Sequence, residues 1–243
     1  MSHLHRFYVP GLADNASTLT LTGAEAHHAL RVVRLAHGQK VAVFDGRGRE
    51  CFGTVNRATR RELEIEITER HVEPEPAYRL TLMQAWLHHS RAIEESVRHG
   101  TEIGVTDFCF FRAAQSERAP DLKDKLQRIA IETCKQCGRL WLPRFESAPN
   151  LTDALEASRG ALLVATRDIP GISLKEAIQD HSHVTLVVGP EGDFTAEELQ
   201  HILSRGARPI SLGRTTFRSE TAAILGATLI LYELGLFNSN QDS

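Results

Sequence analysis

The chain has 243 residues, with 28 Lys and Arg against 31 Asp and Glu, a formal charge of −3 and 42% hydrophobic content. That balance is ordinary for a globular protein and excludes a generic polyanion binder, while leaving room for a local patch of one sign. No apolar run approaches the ~20 residues that span a bilayer, and no charged-then-apolar leader opens the chain, so neither membrane nor export is expected.

Residues 1–70 read as a small β-rich unit. Arg6–Val9 and Thr18–Leu21 have strand character. Val41–Phe44 runs into Asp45-Gly46, a hairpin signal, with Phe52–Val55 as the return strand. Leu63, Ile65 and Ile67 alternate with Glu62, Glu64 and Glu66, the pattern of a half-buried strand. One helix interrupts them, Ala24 to Arg34, with Ala26, Leu30 and Val33 as its apolar stripe and His27, Arg31 and Arg34 on the opposite face. Several short strands around one core predict a small barrel. Residues 27–61 also hold eight Lys and Arg against only Asp45 and Glu50, so a basic patch is hidden in a near-neutral protein.

Residues 71–78 are polar and proline-bearing and read as a linker. From residue 79 to 243 the rhythm changes to alternating strands and helices, which predicts a mostly parallel sheet covered on both faces. The strands expected are Leu80–Trp86, Thr106–Phe111, Ala161–Thr166, Val184–Val188 and Pro209–Leu212. The helices expected are Arg91–Ile103, Leu122–Cys137, Leu174–Gln179, Ala196–Ser204 and Glu220–Leu234. Cys134 and Cys137 form a C-x-x-C, a spacing used by zinc sites and redox pairs. No second pair of ligands follows at zinc spacing, and the segment reads as a helix with Ile129, Thr133 and Cys137 on one face. Ordinary reduced thiols, and hence a cytoplasmic compartment, are expected.

Two late segments carry the chemistry. Leu186-Val-Val-Gly-Pro-Glu-Gly-Asp193 and Leu212-Gly-Arg-Thr-Thr-Phe-Arg-Ser-Glu-Thr-Ala222 each run from a strand into a glycine-bearing turn and then a helix. Ligands of open α/β folds sit where strand ends meet helix starts. Thr195 with Glu198 three residues on forms a capping box for the helix after the first turn. Neither a phosphate loop nor a Gly-x-Gly-x-x-Gly is present, and Glu191 puts negative charge where a phosphate would sit. A ligand neutral or cationic at this point fits better, and S-adenosylmethionine, with a sulfonium and no phosphates, qualifies.

Gly189-Pro-Glu-Gly192 together with Leu212-Gly-x-x-x-x-Arg-x-Glu-Thr-Ala222 resembles the RsmE family of 16S ribosomal RNA uridine-N3 methyltransferases, of the SPOUT superfamily of trefoil-knotted enzymes. His27-His-x-Leu-Arg-Val-Val-Arg34, Phe44-Asp-Gly46, Glu102-Ile-Gly-Val105, Ser116-Glu-Arg118 and Ile129–Arg139 match in the same order, so the resemblance covers nearly the full length. It implies an N-terminal PUA-like β-barrel for RNA and a C-terminal α/β-knot domain. It further implies a homodimer through the C-terminal domain, acting on 16S rRNA or the small ribosomal subunit, with no metal required. Cofactor contacts would fall on Thr166, Val188, Gly189, Pro190, Glu191, Gly192, Leu212, Gly213, Phe217 and Ala222. Arg218 would be the RNA-facing catalytic cation with Glu220 as its orienting partner. RNA contacts would come from Arg6, His27, His28, Arg31, Arg34, Arg118 and Arg139.

The chain departs from the family pattern at Thr215, where arginine is usual, at Asp193, where glycine is usual, and at His89 and His99, where lysine is common. A diverged, non-catalytic or differently targeted RNA-binding member of the same fold is the competing expectation. A nucleotide-cofactor enzyme of another doubly wound type is disfavoured by the missing phosphate loop.

Overall fold

In a computed structural model that describes residues 4–13, 15–122, 124–167, 169–178 and 182–237, the chain divides into two units. The first comprises residues 1–75 and 131–142, the second residues 76–130 and 143–243.

The first unit is one curled sheet of five strands in the order β1-β3-β4-β5-β2. Its strands are β1 (His5–Tyr8), β2 (Thr18–Leu21), β3 (Lys40–Phe44), β4 (Arg49–Ala58) and β5 (Leu63–Val72). The expected barrel takes a PUA-like, half-barrel form in which β1 and β2 remain the two edges. Register shifts at Phe52/Gly53 and Val55/Arg57 of β4 supply curvature, since a bulge bends and twists the strand that carries it. At the β3–β4 turn, Asp45 Oδ1 accepts from the backbone N–H groups of Arg47 (2.7 Å) and Arg49 (3.1 Å), and Arg49 Nε donates to Asp45 Oδ2 at 2.8 Å. β5 continues through His71 and Val72, so the connection to the next strand spans residues 73–78.

The helix expected over Ala24–Arg34 is broken in character. α1 (Gly23–His27) passes into a π-helical turn, His28–Val33, which ends at Arg34 in the left-handed region (φ 62°). The wider turn rotates the buried stripe: Ala26 and Ala29 are buried, Leu30 and Val33 only partly.

The second unit is a six-stranded sheet, order β11-β9-β10-β6-β7-β8, with every pairing parallel. In chain order it comprises β6 (Arg79–Ala85), α2 (Ser90–Ile103), β7 (Asp107–Phe111), α3 (Asp124–Cys137), β8 (Arg144–Ala148), α4 (Leu151–Ala157) and β9 (Ala161–Ala165). There follow α5 (Leu174–Ile178), β10 (His183–Val188), α6 (Ala196–Ser204), β11 (Arg208–Ile210) and α7 (Ser219–Glu233). Gln179 and Lys123, inside two of the expected helices, lie outside the described residues. The C-terminal half of α3 belongs to the first unit. There Cys134 is buried beside Phe44 and Leu140 while Cys137 is exposed, which corrects the expected stripe of Ile129, Thr133 and Cys137.

Both faces of this sheet are covered. Met83, Cys109, Phe111, Val164 and Val187 pack with Leu151 and Leu155 of α4 and Leu199 and Ile202 of α6. On the other face α7 packs against α2, α5, β6 and β10. The strands are therefore apolar nearly throughout, as central parallel strands must be. No helix among the described residues is long and apolar enough to cross a membrane.

Candidate active site

The carboxyl ends of β9, β10 and β11 open onto one cavity of about 570 Å³, a volume typical of small-ligand sites. The turn after β10 supplies Val188 to Glu191 and Asp193. The segment between β11 and α7 supplies Leu212, Gly213 and Thr215 to Phe217, followed by Arg218, Ser219, Glu220 and Ala222. Thr166 and Arg167 follow β9, and His89 and Ala92 come from the start of α2. The two glycine-bearing turns are thus walls of one pocket.

The first turn is held from three sides. Gly189 is buried, and a Cβ there would stand 3.2 Å from both Asp193 Oδ1 and the Phe194 ring, so a larger residue would crowd the turn. Ser219 Oγ donates to the Gly189 carbonyl at 2.5 Å, and Gln84 Nε2 donates to Ser219 Oγ at 3.3 Å. The third hold is Glu191 Oε1, which accepts from the His88 backbone N–H at 3.0 Å. That carboxylate therefore anchors the β6–α2 connection as well as lining the cavity.

Asp193 occupies the left-handed region at φ 64°, the conformation that favours glycine. Its N–H donates to the Pro190 carbonyl at 3.0 Å, and its Oδ1 accepts from Phe194 N–H at 2.8 Å, the local bonding by which Asp tolerates this region. The capping box forms as the spacing predicts, with Glu198 N–H donating to Thr195 Oγ1 (3.2 Å) and Thr195 N–H to Glu198 Oε2 (3.0 Å). Glu198 Oε1 additionally accepts from the Ala114 backbone at 2.7 Å, tying the loop after β7 to α6.

The second turn bends at Gly213, whose φ of 139° is open to glycine. Arg218 is the N-cap of α7, with extended backbone (φ −62°, ψ 153°) and an exposed side chain. Among the described residues neither its guanidinium nor the Glu220 carboxylate has a hydrogen-bond or ion-pair partner, so the orienting pair expected between them is not formed in this structure.

Of the residues expected at the cofactor, all but Gly192 line the cavity. Gly192 instead faces Gln115, whose amide oxygen a Cβ would strike. Thr215, Thr216 and Ser219 line the cavity as parts of the second turn, which the sequence marks as a pocket wall. His89 and Arg167 also line it, without being expected there, and Arg167 lies in no motif. Among the described residues no group of three or more His, Cys, Asp or Glu is placed to hold a metal ion.

The residues expected at RNA are placed as follows. In the first unit Arg6 Nε donates to Glu50 Oε1 at 2.9 Å, and His28 packs edge-on against the Phe7 ring at 6.1 Å between centroids. His27, Arg31 and Arg34 are exposed, and Arg139 is half-buried and electrostatically coupled to Glu73. Burial pushes the Glu73 carboxyl upward, with His71 and then Arg139 opposing. Arg118 is exposed in the second unit.

Comparison with known proteins agrees with this architecture. Residues 73–231 match the RNA methyltransferase domain family, and residues 21–68 match the RNA methyltransferase PUA domain. Ribosomal RNA small subunit methyltransferase E of Synechocystis is 32% identical, covering 85% of this chain and 70% of its own length. The enzyme of that name from Mycobacterium bovis is 30% identical over 93% of this chain and 91% of its own. A crystal structure of the Neisseria gonorrhoeae ribosomal RNA small subunit methyltransferase E, bound to S-adenosyl methionine, shares the fold with a TM-score of 0.84. Its identity is 24%, over 95% of this chain and 98% of that one. With both domains matched in order and well over half of the chain inside the RNA methyltransferase domain, the chain belongs to the RNA methyltransferase family that includes the ribosomal RNA small subunit methyltransferase E enzymes.

Proposed function

We propose that this chain transfers a methyl group from S-adenosylmethionine to N3 of a specific uridine in 16S ribosomal RNA. The observation that carries the reading is the meeting of the two glycine-bearing turns in one cavity, within a chain of this family. The lining suits the cofactor. Val188, Leu212, Phe217 and Ala222 offer apolar surface to an adenosine, and Glu191 and Glu220 offer negative charge to a cation. Lys is absent from the lining, and no glycine-rich phosphate cradle is built there.

When bound, S-adenosylmethionine supplies a methyl group activated by a positive sulfur. The protein's task is to remove the weakly acidic N3 proton, stabilise charge on the uracil oxygens and hold N3 in line with the methyl carbon. Thr166, Gly189, Pro190 and Gly213 would hold the cofactor with the apolar residues above. Arg218 is the cation set against the uracil oxygens, and Glu220 orients it once RNA is present. The exposed Arg31 and Arg34, with His27, His28, Arg6, Arg118 and Arg139, would contact phosphate and sugar.

Three further features belong to this reading. The second domain would contain a trefoil knot, supported by a sheet order that places β6, β9, β10 and β11 side by side and by family membership. The chain would act as a homodimer, supported by Tyr232, Leu236 and Phe237, which are large apolar residues left 58%, 40% and 48% exposed at the end of α7. It would work in the cytoplasm, where ribosomal subunits are made.

Calorimetry with S-adenosylmethionine tests the cofactor; absence of binding removes the reading. Mass spectrometry of 16S rRNA from a strain lacking this protein tests the product. Loss of 3-methyluridine is expected, and an unchanged level would assign the activity elsewhere.

A further inference from the structure

We infer that His89 is the base that accepts the uridine N3 proton, a role that rests on the methyl transfer proposed above. Only some of the groups around the cavity are able to accept a proton. Its ionisable lining comprises His89 from the start of α2, Arg167 after β9, Glu191 and Asp193 from the turn after β10, and Arg218 and Glu220 at the start of α7. A guanidinium offers donors and no acceptor, which sets both arginines aside. Glu191 accepts from the His88 backbone through one carboxylate oxygen, and Asp193 from that of Phe194 through one of its own. The imidazole of His89 and the carboxylates of Glu191, Asp193 and Glu220 can all accept a proton.

Between the imidazole and the three carboxylates, chemistry favours the imidazole. Proton transfer is most effective when the base titrates near the working pH, and histidine is the side chain whose ordinary range lies there. A carboxylate is ordinarily a far weaker base.

The geometry keeps His89 available. It holds the N-cap position of α2 with extended backbone (φ −91°, ψ 115°), yet its ring is not spent on capping the helix. Neither ring nitrogen has a hydrogen-bond partner among the described residues; the ring packs edge-to-face with His88, 4.5 Å between centroids.

The segment that carries it is fixed at successive points. Trp86 N–H donates to the Phe111 carbonyl at 2.8 Å, and the Trp86 carbonyl accepts from Ser116 Oγ at 2.9 Å. His88 is held by Glu191 through its backbone and by Glu117 through its ring, with Nδ1 2.5 Å from Glu117 Oε2. His88 is therefore occupied and His89 is presented. Preorganisation of this kind is what a positioned base requires.

The step balances without a further reactant. A ring nitrogen of neutral His89 takes the N3 proton, and the pair left on N3 forms the new bond to the methyl carbon. The sulfur keeps the pair of the bond that breaks and becomes neutral, and the imidazolium returns its proton to solvent.

The test measures single-turnover methylation of unmodified 16S rRNA or small subunits against pH, for the wild-type chain, His89→Ala, His89→Lys and Glu220→Gln. A companion measurement reads diethylpyrocarbonate modification of His89 by mass spectrometry. The expected results are a roughly 100-fold lower rate for His89→Ala, loss of the acidic limb of the pH profile, and S-adenosylmethionine affinity within twofold of wild type. Modification of His89 should be rapid in the free protein and suppressed by the RNA with S-adenosylhomocysteine.

His89→Lys at the wild-type rate near pH 7 would show that the position supplies charge alone and would overturn the inference. Full activity of His89→Ala, loss of the acidic limb in Glu220→Gln alone, or unprotected modification would do the same. If the wild-type chain methylates no uridine, the underlying reading falls, and the inference with it.

Discussion

Ser219 Oγ donates to the Gly189 carbonyl at 2.5 Å, joining the first residue of α7 to the turn after β10. Ser219 is buried and lies between Arg218 and Glu220, so this bond sets the distance between the proposed cofactor wall and the proposed RNA-facing residues. Gln84, fully buried at the end of β6, donates to the same hydroxyl, and its own Oε1 has no partner among the described residues.

Ser219→Ala should therefore act on both stability and binding. Removing the hydroxyl strips a partner from a buried carbonyl and a buried amide, a loss of about 1–3 kcal/mol. Thermal denaturation should show it, and calorimetry should show S-adenosylmethionine binding weakened on the order of tenfold. Unchanged affinity would mean that the turn holds its shape without α7.

Asp193 offers a test of backbone conformation. Because its φ of 64° suits glycine, Asp193→Gly should stay within about 0.5 kcal/mol of wild type. Asp193→Ala loses the Oδ1 bond to Phe194 N–H and keeps a Cβ in the left-handed region, which costs about 1–2 kcal/mol. Equal stabilities for the two variants, by chemical denaturation, would contradict this account.

The α6 capping box predicts an asymmetry between its two members. Thr195→Ala should cost about 1 kcal/mol, the usual loss of an N-cap. Glu198→Ala should cost more, because its carboxylate also holds the Ala114 N–H of the loop after β7. Hydrogen exchange is the discriminating measurement: amides near residue 114 should lose protection in the Glu198 variant only.

Thiol reactivity should separate the four cysteines. Cys137 is exposed, and Cys51, Cys109 and Cys134 are buried. Burial pushes the Cys134 thiol up to about 12 and the Cys109 thiol up to about 11, so both stay protonated at pH 8 and are poor nucleophiles. Iodoacetamide should label Cys137 first in the native protein. The linkage runs one way. The unfolded thiols lose protons near their ordinary value of 9.0 while the folded ones do not, so stability should fall as pH rises from about 9 towards 12. Rapid native labelling of Cys134 would refute its burial.

Arg218→Ala should retain folding and S-adenosylmethionine binding but lose methyl transfer by about 100-fold or more. A matched loss of thermal stability would instead make Arg218 structural, and retained turnover would remove it from the reaction.

Much of this architecture is legible in the sequence. Period-2 and continuous apolar runs marked β2, β5, β6, β9 and β10, and the Thr195/Glu198 spacing marked the start of α6. What escaped did so for physical reasons. β8 (Arg144–Ala148) is an edge strand with only Ala148 buried, so no hydrophobic pattern announces it. α4, at seven residues, is shorter than the window in which helical periodicity can be read. The π-helical turn adds a residue per turn, shifting burial onto Ala29.

The sequence by itself determined the local chemistry: strand, glycine turn and helix start, twice over, with no phosphate cradle between them. Those are short-range properties, set by side-chain period and backbone freedom. Only the tertiary structure decided that Ser219 bonds to Gly189 and that His89 stands in the lining with ring nitrogens that bond no described residue. Each of these joins residues distant in the chain through the order of parallel strands, which no local pattern specifies.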